Sequence, residues 1–99
     1  MNIYVSDRAL QWFKEEVQVD KGDMIKFYTK IYGTSPVQQG YSLAFTRDNS
    51  PVDMAVKLEK DGIIFYVEET DIWFFNGHDL YVDYNEKYDE VTYDYKLPQ

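Results

Sequence analysis

The sequence predicts a β-rich α+β domain in which mainly antiparallel sheets form a sandwich or a partial barrel, with one N-terminal amphipathic helix. Helical spacing of apolar residues occurs once, near the start of the chain. From Met24 onward, apolar and polar residues alternate in short runs, as in half-buried strands. Helices do not alternate with these runs, which argues against a parallel α/β fold. The length of 99 residues predicts one domain spanning residues 1–99.

The helix is expected from Asp7 to about Gln18. Ser6 precedes it with a side chain suited to an N-cap, and Asp7 places a negative charge in the first turn, where the helix dipole favours it. The face predicted to be buried carries Ala9, Leu10, Phe13 and Val17, with Trp12 nearer its edge. The stretch 20–23 ends the helix, and the apolar face predicts packing on a sheet.

Six or seven strands are expected from the alternation. They cover residues 2–5, 24–31, 41–45, 54–59, 63–67, 80–84 and 91–95. In the second strand, the apolar face is expected to carry Ile25, Phe27, Thr29 and Ile31. The turn Lys60-Asp61-Gly62 between two alternating runs predicts a hairpin. One or two helical turns are expected at residues 72–75, with Thr70 or Asp71 as the cap and Asn76-Gly77 as the end.

The predicted core combines one face of the helix with the apolar positions of the strands. Its members are Leu10, Phe13, Val17, Ile25, Phe27, Leu43, Phe45, Val56, Leu58, Ile63, Phe65, Phe74, Leu80 and Val82.

Composition excludes several classes of function. There are no cysteines, so disulfides, thiolate catalysis and cysteine-ligated metal centres are absent. A net charge of −8 argues against binding to nucleic acids and to anionic membranes. The sequence has neither an apolar run long enough to span a bilayer nor a recognisable signal peptide, which predicts a cytoplasmic protein.

Carboxylates near the C-terminus offer one possible site. Six acidic residues lie between Asp79 and Asp94, and the only histidine, His78, directly precedes them. Hard oxygen ligands with one imidazole suit iron or another cation, so His78, Asp79 and Asp83 are candidate metal ligands. The alternative is a solvated acidic face that keeps the protein soluble.

Catalysis has little basis in the sequence. No hydroxyl in the loop 32–40 has a histidine or lysine at a spacing that would activate it, and no phosphate-binding loop or zinc-protease motif occurs. We therefore expect no catalytic residues and no enzyme activity, although carboxylates alone leave a small hydrolase open. Self-association as a homodimer is a further alternative to a monomer, because exposed aromatic strand edges would support it.

Several short segments, taken in order, resemble the HesB-like family of A-type iron–sulfur cluster assembly carriers. The matching segments cover residues 3–84. They are residues 3–9 (IYVSDRA), 33–35 (GTS), 41–43 (YSL), 61–63 (DGI) and 74–80 (FFNGHDL). The resemblance implies a HesB-like domain and a setting in iron–sulfur cluster biosynthesis.

The sequence departs from that family at the cluster ligands. Thr34 stands where the carriers have their loop cysteine, and residues 96–99 contain no counterpart of their C-terminal cysteine pair. A hydroxyl does not replace a thiolate on a soft cluster. The resemblance therefore implies a non-catalytic accessory module that binds protein partners in iron–sulfur assembly and holds no cofactor. The alternative is a protein that binds iron through carboxylates and His78.

Overall fold

The computed structural model describes residues 1–98, in which seven strands and two short helical regions are present. The strands are β1 (Ile3–Val5), β2 (Met24–Lys30), β3 (Ser42–Arg47), β4 (Met54–Lys60), β5 (Ile63–Glu68), β6 (Asp79–Asn85) and β7 (Glu90–Lys96). The first helical region is α1 (Asp7–Trp12), which continues as a π-helical turn over Phe13–Val17. The second is a 3₁₀ helix over Glu69–Phe75. The predicted β-rich α+β class is confirmed.

The strands form two sheets. One has the order β1-β6-β7 and the other the order β3-β2-β5-β4. Pairing is antiparallel between β2 and β3, β4 and β5, and β6 and β7, but parallel between β1 and β6 and between β2 and β5. Both sheets are therefore mixed, which the prediction of mainly antiparallel sheets did not include. The parallel pairs join strands far apart in the sequence, and alternation within a strand does not reveal its distant neighbour.

The two sheets pack on each other, as in a sandwich. Phe27 of β2 meets Tyr93 of β7 edge to face, with ring centroids 5.9 Å apart. Burial of the Tyr93 phenol at this contact raises its pKa, because the phenolate would lose its hydration there. The hydrophobic core thus lies between the sheets, closed at one side by α1.

The N-terminal helix begins where the sequence predicts. Ser6 is the N-cap, and its Oγ accepts a hydrogen bond from the amide of Ala9 at 3.1 Å. The sequence predicted one continuous helix, whereas the observed helix changes from α to π geometry after Trp12. Gln18, in the left-handed conformation at φ 60°, ends it.

The core matches most of the prediction. Of the fourteen predicted residues, Val17, Phe45, Val56 and Leu58 are only partly buried, and the other ten are buried. Seven further buried hydrophobic residues are absent from that set, although Ala9 was predicted on the buried face of the helix: Ile3, Val5, Ala9, Val19, Tyr66, Val67 and Phe75. Strand β5 explains Tyr66, because this strand lies inside its sheet and has residues buried on both faces.

The hairpin between β4 and β5 is confirmed. Lys60 pairs with Ile63, so Asp61 and Gly62 form a two-residue turn. Both have positive φ, 52° and 78°, as a type I′ turn requires. A Cβ atom on Gly62 would lie 2.5 Å from Cγ of Lys21, so the Lys21 side chain would have to move to admit one.

Strand β2 is one residue shorter than predicted. It ends at Lys30, and the side chain of Ile31 is 76% exposed instead of continuing the buried face. The chain then enters the loop that leads to β3. This exposed isoleucine contributes to the surface described below.

Candidate protein-binding surface

The three residues predicted as metal ligands each have partners within the protein. Nδ1 of His78 lies 2.9 Å from the carbonyl oxygen of Phe75. Asp79 is buried and accepts a hydrogen bond from the amide of Asn2 at 2.7 Å. Asp83 lies four residues further along β6, about 13 Å away for an extended strand. Residues 1–98 contain no group of three histidine, aspartate or glutamate side chains placed to bind one metal ion.

Asp83 joins the N-terminus of α1 to strand β6. Its carboxylate accepts hydrogen bonds from Nε and Nη2 of Arg8 at 2.7 and 2.8 Å, and from Oγ of Ser6 at 2.7 Å. The Arg8 guanidinium, followed by the Ser6 hydroxyl, holds the pKa of Asp83 well below its usual range. These contacts give Asp83 a structural role in the described part of the chain.

The outer face of the β1-β6-β7 sheet carries a shallow groove of about 420 Å³. The rings of Tyr4 and Tyr81 stack there, with centroids 4.6 Å apart. Nζ of Lys96 lies 4.6 Å from the centroid of the Tyr81 ring. The exposed ring surface of this groove is thus already covered in part by a cation from the same chain.

A second surface carries large apolar side chains, and among residues 1–98 no cation lies over their rings. We call Ile31, Tyr32, Tyr41 and Trp73 the aromatic tip. Tyr32 is 81% exposed and Trp73 is 48% exposed. The Tyr41 ring meets the Trp73 ring edge to face, with centroids 5.1 Å apart.

Three segments that are distant in the sequence build the aromatic tip. Asp71 of the 3₁₀ helix accepts a hydrogen bond from the amide of Thr29 at 3.3 Å, which ties that helix to the end of β2. Nε2 of Gln38 donates to the carbonyl oxygen of Trp73 at 3.4 Å. Oγ of Ser42 donates to the carbonyl oxygen of Tyr32. The tip is therefore held by hydrogen bonds to the backbone around it.

The chemistry of the aromatic tip is that of a protein interface. Tyrosine and tryptophan are enriched at binding hot spots, where they contribute large apolar areas at low entropic cost. Sequence reasoning missed this surface, because Ile31 was assigned to the buried face and residues 72–75 were read only as a helical turn. The available signal was Tyr32, an aromatic residue directly before Gly33 in a loop.

Among residues 1–98, we find no helix with the length and apolar character needed to cross a bilayer.

Comparison with known proteins gives full-length relatives. No protein-family model matches the sequence. The chain is 42% identical over 96 residues to a Bacillus subtilis protein named pyruvate dehydrogenase inhibitor, covering 97% of this chain and all of the relative. It is 35% identical to an uncharacterised protein of Staphylococcus saprophyticus, covering 94% of this chain and 97% of that one. An uncharacterised Staphylococcus aureus protein is 30% identical, over 97% of this chain and all of that protein.

These relatives correct the sequence-based assignment to the HesB-like family. That resemblance was wrong, and with it the predicted role in iron–sulfur biosynthesis and the predicted partners in cluster assembly. It depended on five short segments of three to seven residues, while the residues that bind the cluster were absent. Iron binding through carboxylates, the alternative function, has no support from the relatives or from the placement of His78, Asp79 and Asp83. The chain belongs to the family of the Bacillus subtilis protein named pyruvate dehydrogenase inhibitor.

Proposed function

We propose that this protein is a non-catalytic inhibitor of pyruvate dehydrogenase that acts by binding the enzyme. The target is taken from the name of the Bacillus subtilis relative, which is 42% identical over its full length. The mode of action comes from the aromatic tip, which is the observation that carries the proposal. No cofactor is needed for this role, and the site of action is the cytoplasm.

The aromatic tip supports binding because its exposed side chains contribute little to the stability of the fold. Ile31 and Tyr32 are 76% and 81% exposed, so most of their apolar surface stays in water in the free protein. Covering such surface gives roughly 25 cal/mol per Å² before the costs of association are subtracted. A partner that covers the tip gains this term without having to unfold any core packing.

The non-catalytic part of the proposal is supported by the relative, whose name is that of an inhibitor. Two of the carboxylates are also engaged within the protein, Asp79 by the amide of Asn2 and Asp83 by Arg8 and Ser6. A general acid or base must be free to reach a substrate proton, so these two carboxylates are poor candidates.

The test is an inhibition assay with purified components. The wild-type chain is added in increasing amounts to pyruvate dehydrogenase complex from the same organism, and NADH formation from pyruvate is followed. We expect a dose-dependent loss of rate that saturates near one equivalent per binding site. The double variant Ile31→Ser/Tyr32→Ser, called the tip variant, should need at least tenfold more protein for the same inhibition, because hot-spot residues each contribute about 1–2 kcal/mol or more.

The matched control is the variant Val52→Ser/Leu97→Ser, called the control variant. Val52 and Leu97 are 92% and 65% exposed, so it removes a comparable amount of exposed apolar surface elsewhere. It should inhibit like the wild type. An absence of inhibition by the wild-type chain at saturating amounts contradicts the proposed target. Equal inhibition by the tip and control variants contradicts the proposed mode.

A further inference from the structure

A small notch lies beside the π-helical turn, on a part of the surface that the aromatic tip does not include. It is an open depression of about 270 Å³. Its walls include the rings of Trp12 and Tyr84, and its lining includes the carboxylates Glu15, Glu16 and Asp89. We call these five residues the acidic notch.

The two aromatic walls are fixed by one carboxylate. The rings of Trp12 and Tyr84 have centroids 6.4 Å apart and planes inclined by 31°. Oδ1 of Asp89 accepts hydrogen bonds from Nε1 of Trp12 at 3.3 Å and from the Tyr84 hydroxyl at 2.7 Å. The rings therefore stand in place before any ligand arrives, which lowers the entropic cost of binding.

The three carboxylates of the notch, Glu15, Glu16 and Asp89, form no ion pair among residues 1–98. The four ion pairs within residues 1–98 involve Asp83, Asp61, Asp48 and Asp7, none of which lines the notch. Arg8 also borders the notch, but its guanidinium is bound to Asp83 through two hydrogen bonds.

The phenol of Tyr84 responds to this unbalanced charge. Its hydrogen bond to Asp89, followed by burial and by the charges of Asp89, Glu86 and Glu16, raises its pKa to about 12. Negative charge thus surrounds the ring on several sides. The neutral phenol therefore stays a hydrogen-bond donor to Asp89, and a ligand carrying positive charge would be attracted by the surrounding carboxylates.

We propose that the acidic notch receives an arginine side chain from a protein partner. This deepens the proposed function and rests on it, since the partner is the enzyme that the protein inhibits. A guanidinium stacks on the face of tryptophan and tyrosine rings, and its planar fork donates paired hydrogen bonds to carboxylates. The notch offers both kinds of group in one cavity, and the volume is adequate for one such side chain.

The notch and the aromatic tip would act differently in the complex. The tip contributes apolar area, whereas the notch contributes charge complementarity, which raises the association rate and fixes orientation. Its contribution should weaken as salt is added, because exposed charges are screened.

The experiment uses the full chain, labelled with ¹⁵N, and two short capped peptides. One is acetyl-Gly-Arg-Gly-amide, and the other carries citrulline, which has the same shape without the charge. The indole N–H of Trp12 reports on the notch, and that of Trp73 is an internal reference. We expect the arginine peptide to move the Trp12 signal in a saturable way while Trp73 stays in place, and the citrulline peptide to move neither. Equal responses to the two peptides, or an unmoved Trp12 signal, overturn the proposal.

Two charge variants test the role of the carboxylates in the acidic notch. Glu15→Gln/Glu16→Gln removes two carboxylates from the notch, and Glu59→Gln/Glu69→Gln removes two exposed carboxylates outside it. The first variant should bind the arginine peptide about threefold more weakly than the second, in line with measured exposed ion pairs. Equal affinities overturn the proposal.

The peptide titration and the enzyme assay separate the two proposals. A Trp12 response in a chain that does not inhibit pyruvate dehydrogenase supports the notch and contradicts the proposed target. If the chain inhibits the enzyme but its Trp12 signal does not respond to the arginine peptide, arginine binding in the notch is contradicted and the proposed function is still supported. Unchanged inhibition by the Glu15→Gln/Glu16→Gln variant overturns the claim that the arginine belongs to this enzyme.

Discussion

Two aromatic regions of this molecule use the same residue types in opposite ways. In the core beneath α1, the Phe13 ring meets Phe45 and Phe65 edge to face, with centroids 5.0 and 5.3 Å apart. In the aromatic tip, Tyr32 and Trp73 keep much of their surface in water. Burial of the first cluster stabilises the fold, whereas the apolar surface of the second can be buried only by a partner. Substitutions should therefore separate stability from binding.

The largest expected effect is on the buried cluster. Replacing Phe65 by alanine removes a fully buried ring that contacts Phe13 and Phe27. The free energy of unfolding should fall by about 3–5 kcal/mol, from lost transfer energy and the cavity left behind. Urea denaturation followed by circular dichroism measures it. A loss below about 1 kcal/mol would mean that the ring is not packed as described.

A smaller effect is expected where α1 begins. Ser6→Ala removes the acceptor for the Ala9 amide and the donor to Asp83. The free energy of unfolding should fall by about 1 kcal/mol, the usual cost of losing an N-cap. Ser6→Thr keeps the hydroxyl and should recover most of that loss in the same denaturation experiment. Equal stabilities of the alanine and threonine variants would show that the cap does not contribute.

The pH dependence of stability should reveal the Asp83 network. The pKa of Asp83 is lower in the folded protein than in the unfolded chain, because Arg8 and Ser6 stabilise the carboxylate. Its stabilisation is therefore fully present above the unfolded pKa of about 4 and is lost as the pH falls through the folded pKa.

The measurement compares wild type with Asp83→Asn at decreasing pH. The variant should be less stable at neutral pH, and the difference should shrink progressively below about pH 4. A stability difference that grows on acidification would contradict the lowered pKa of Asp83.

The smallest effect on folding is expected at the aromatic tip. The tip variant should change the free energy of unfolding by no more than about 0.5 kcal/mol, as is usual for exposed positions. Thermal melts of the tip and control variants beside the wild type measure this. A large loss of stability would show that Ile31 or Tyr32 supports the fold, which would contradict the proposed difference between the tip and the core.

The fold was largely predictable because its strands and helix are amphipathic. The spacing of Leu10 and Phe13 revealed the helix, and the alternation in β2 and β4 revealed strands, since each buries one face. Strand β5 lies inside its sheet and is covered on both faces, so Tyr66 did not follow the alternation. The parallel pairing of β1 with β6 depends on contacts about 77 residues apart, which no local pattern encodes.

The surfaces were much harder to predict than the core. The aromatic tip and the acidic notch each combine segments distant in the sequence, such as Trp12 with Asp89. Single-residue reasoning instead selected His78, Asp79 and Asp83 for their chemistry, and the structure gives each a partner within the protein. A binding surface depends on which side chains are exposed together, and the alternation of residues along a strand does not reveal this.

Affinity for pyruvate dehydrogenase complex tests the central claim most directly. The wild-type chain, the tip variant and the control variant are each titrated into the complex by isothermal titration calorimetry. We predict that the wild type and the control variant bind alike and that the tip variant binds at least tenfold more weakly, as expected for loss of hot-spot residues. Binding of the tip variant with unchanged affinity, while it stays folded, would contradict the claim that this protein acts through its aromatic tip.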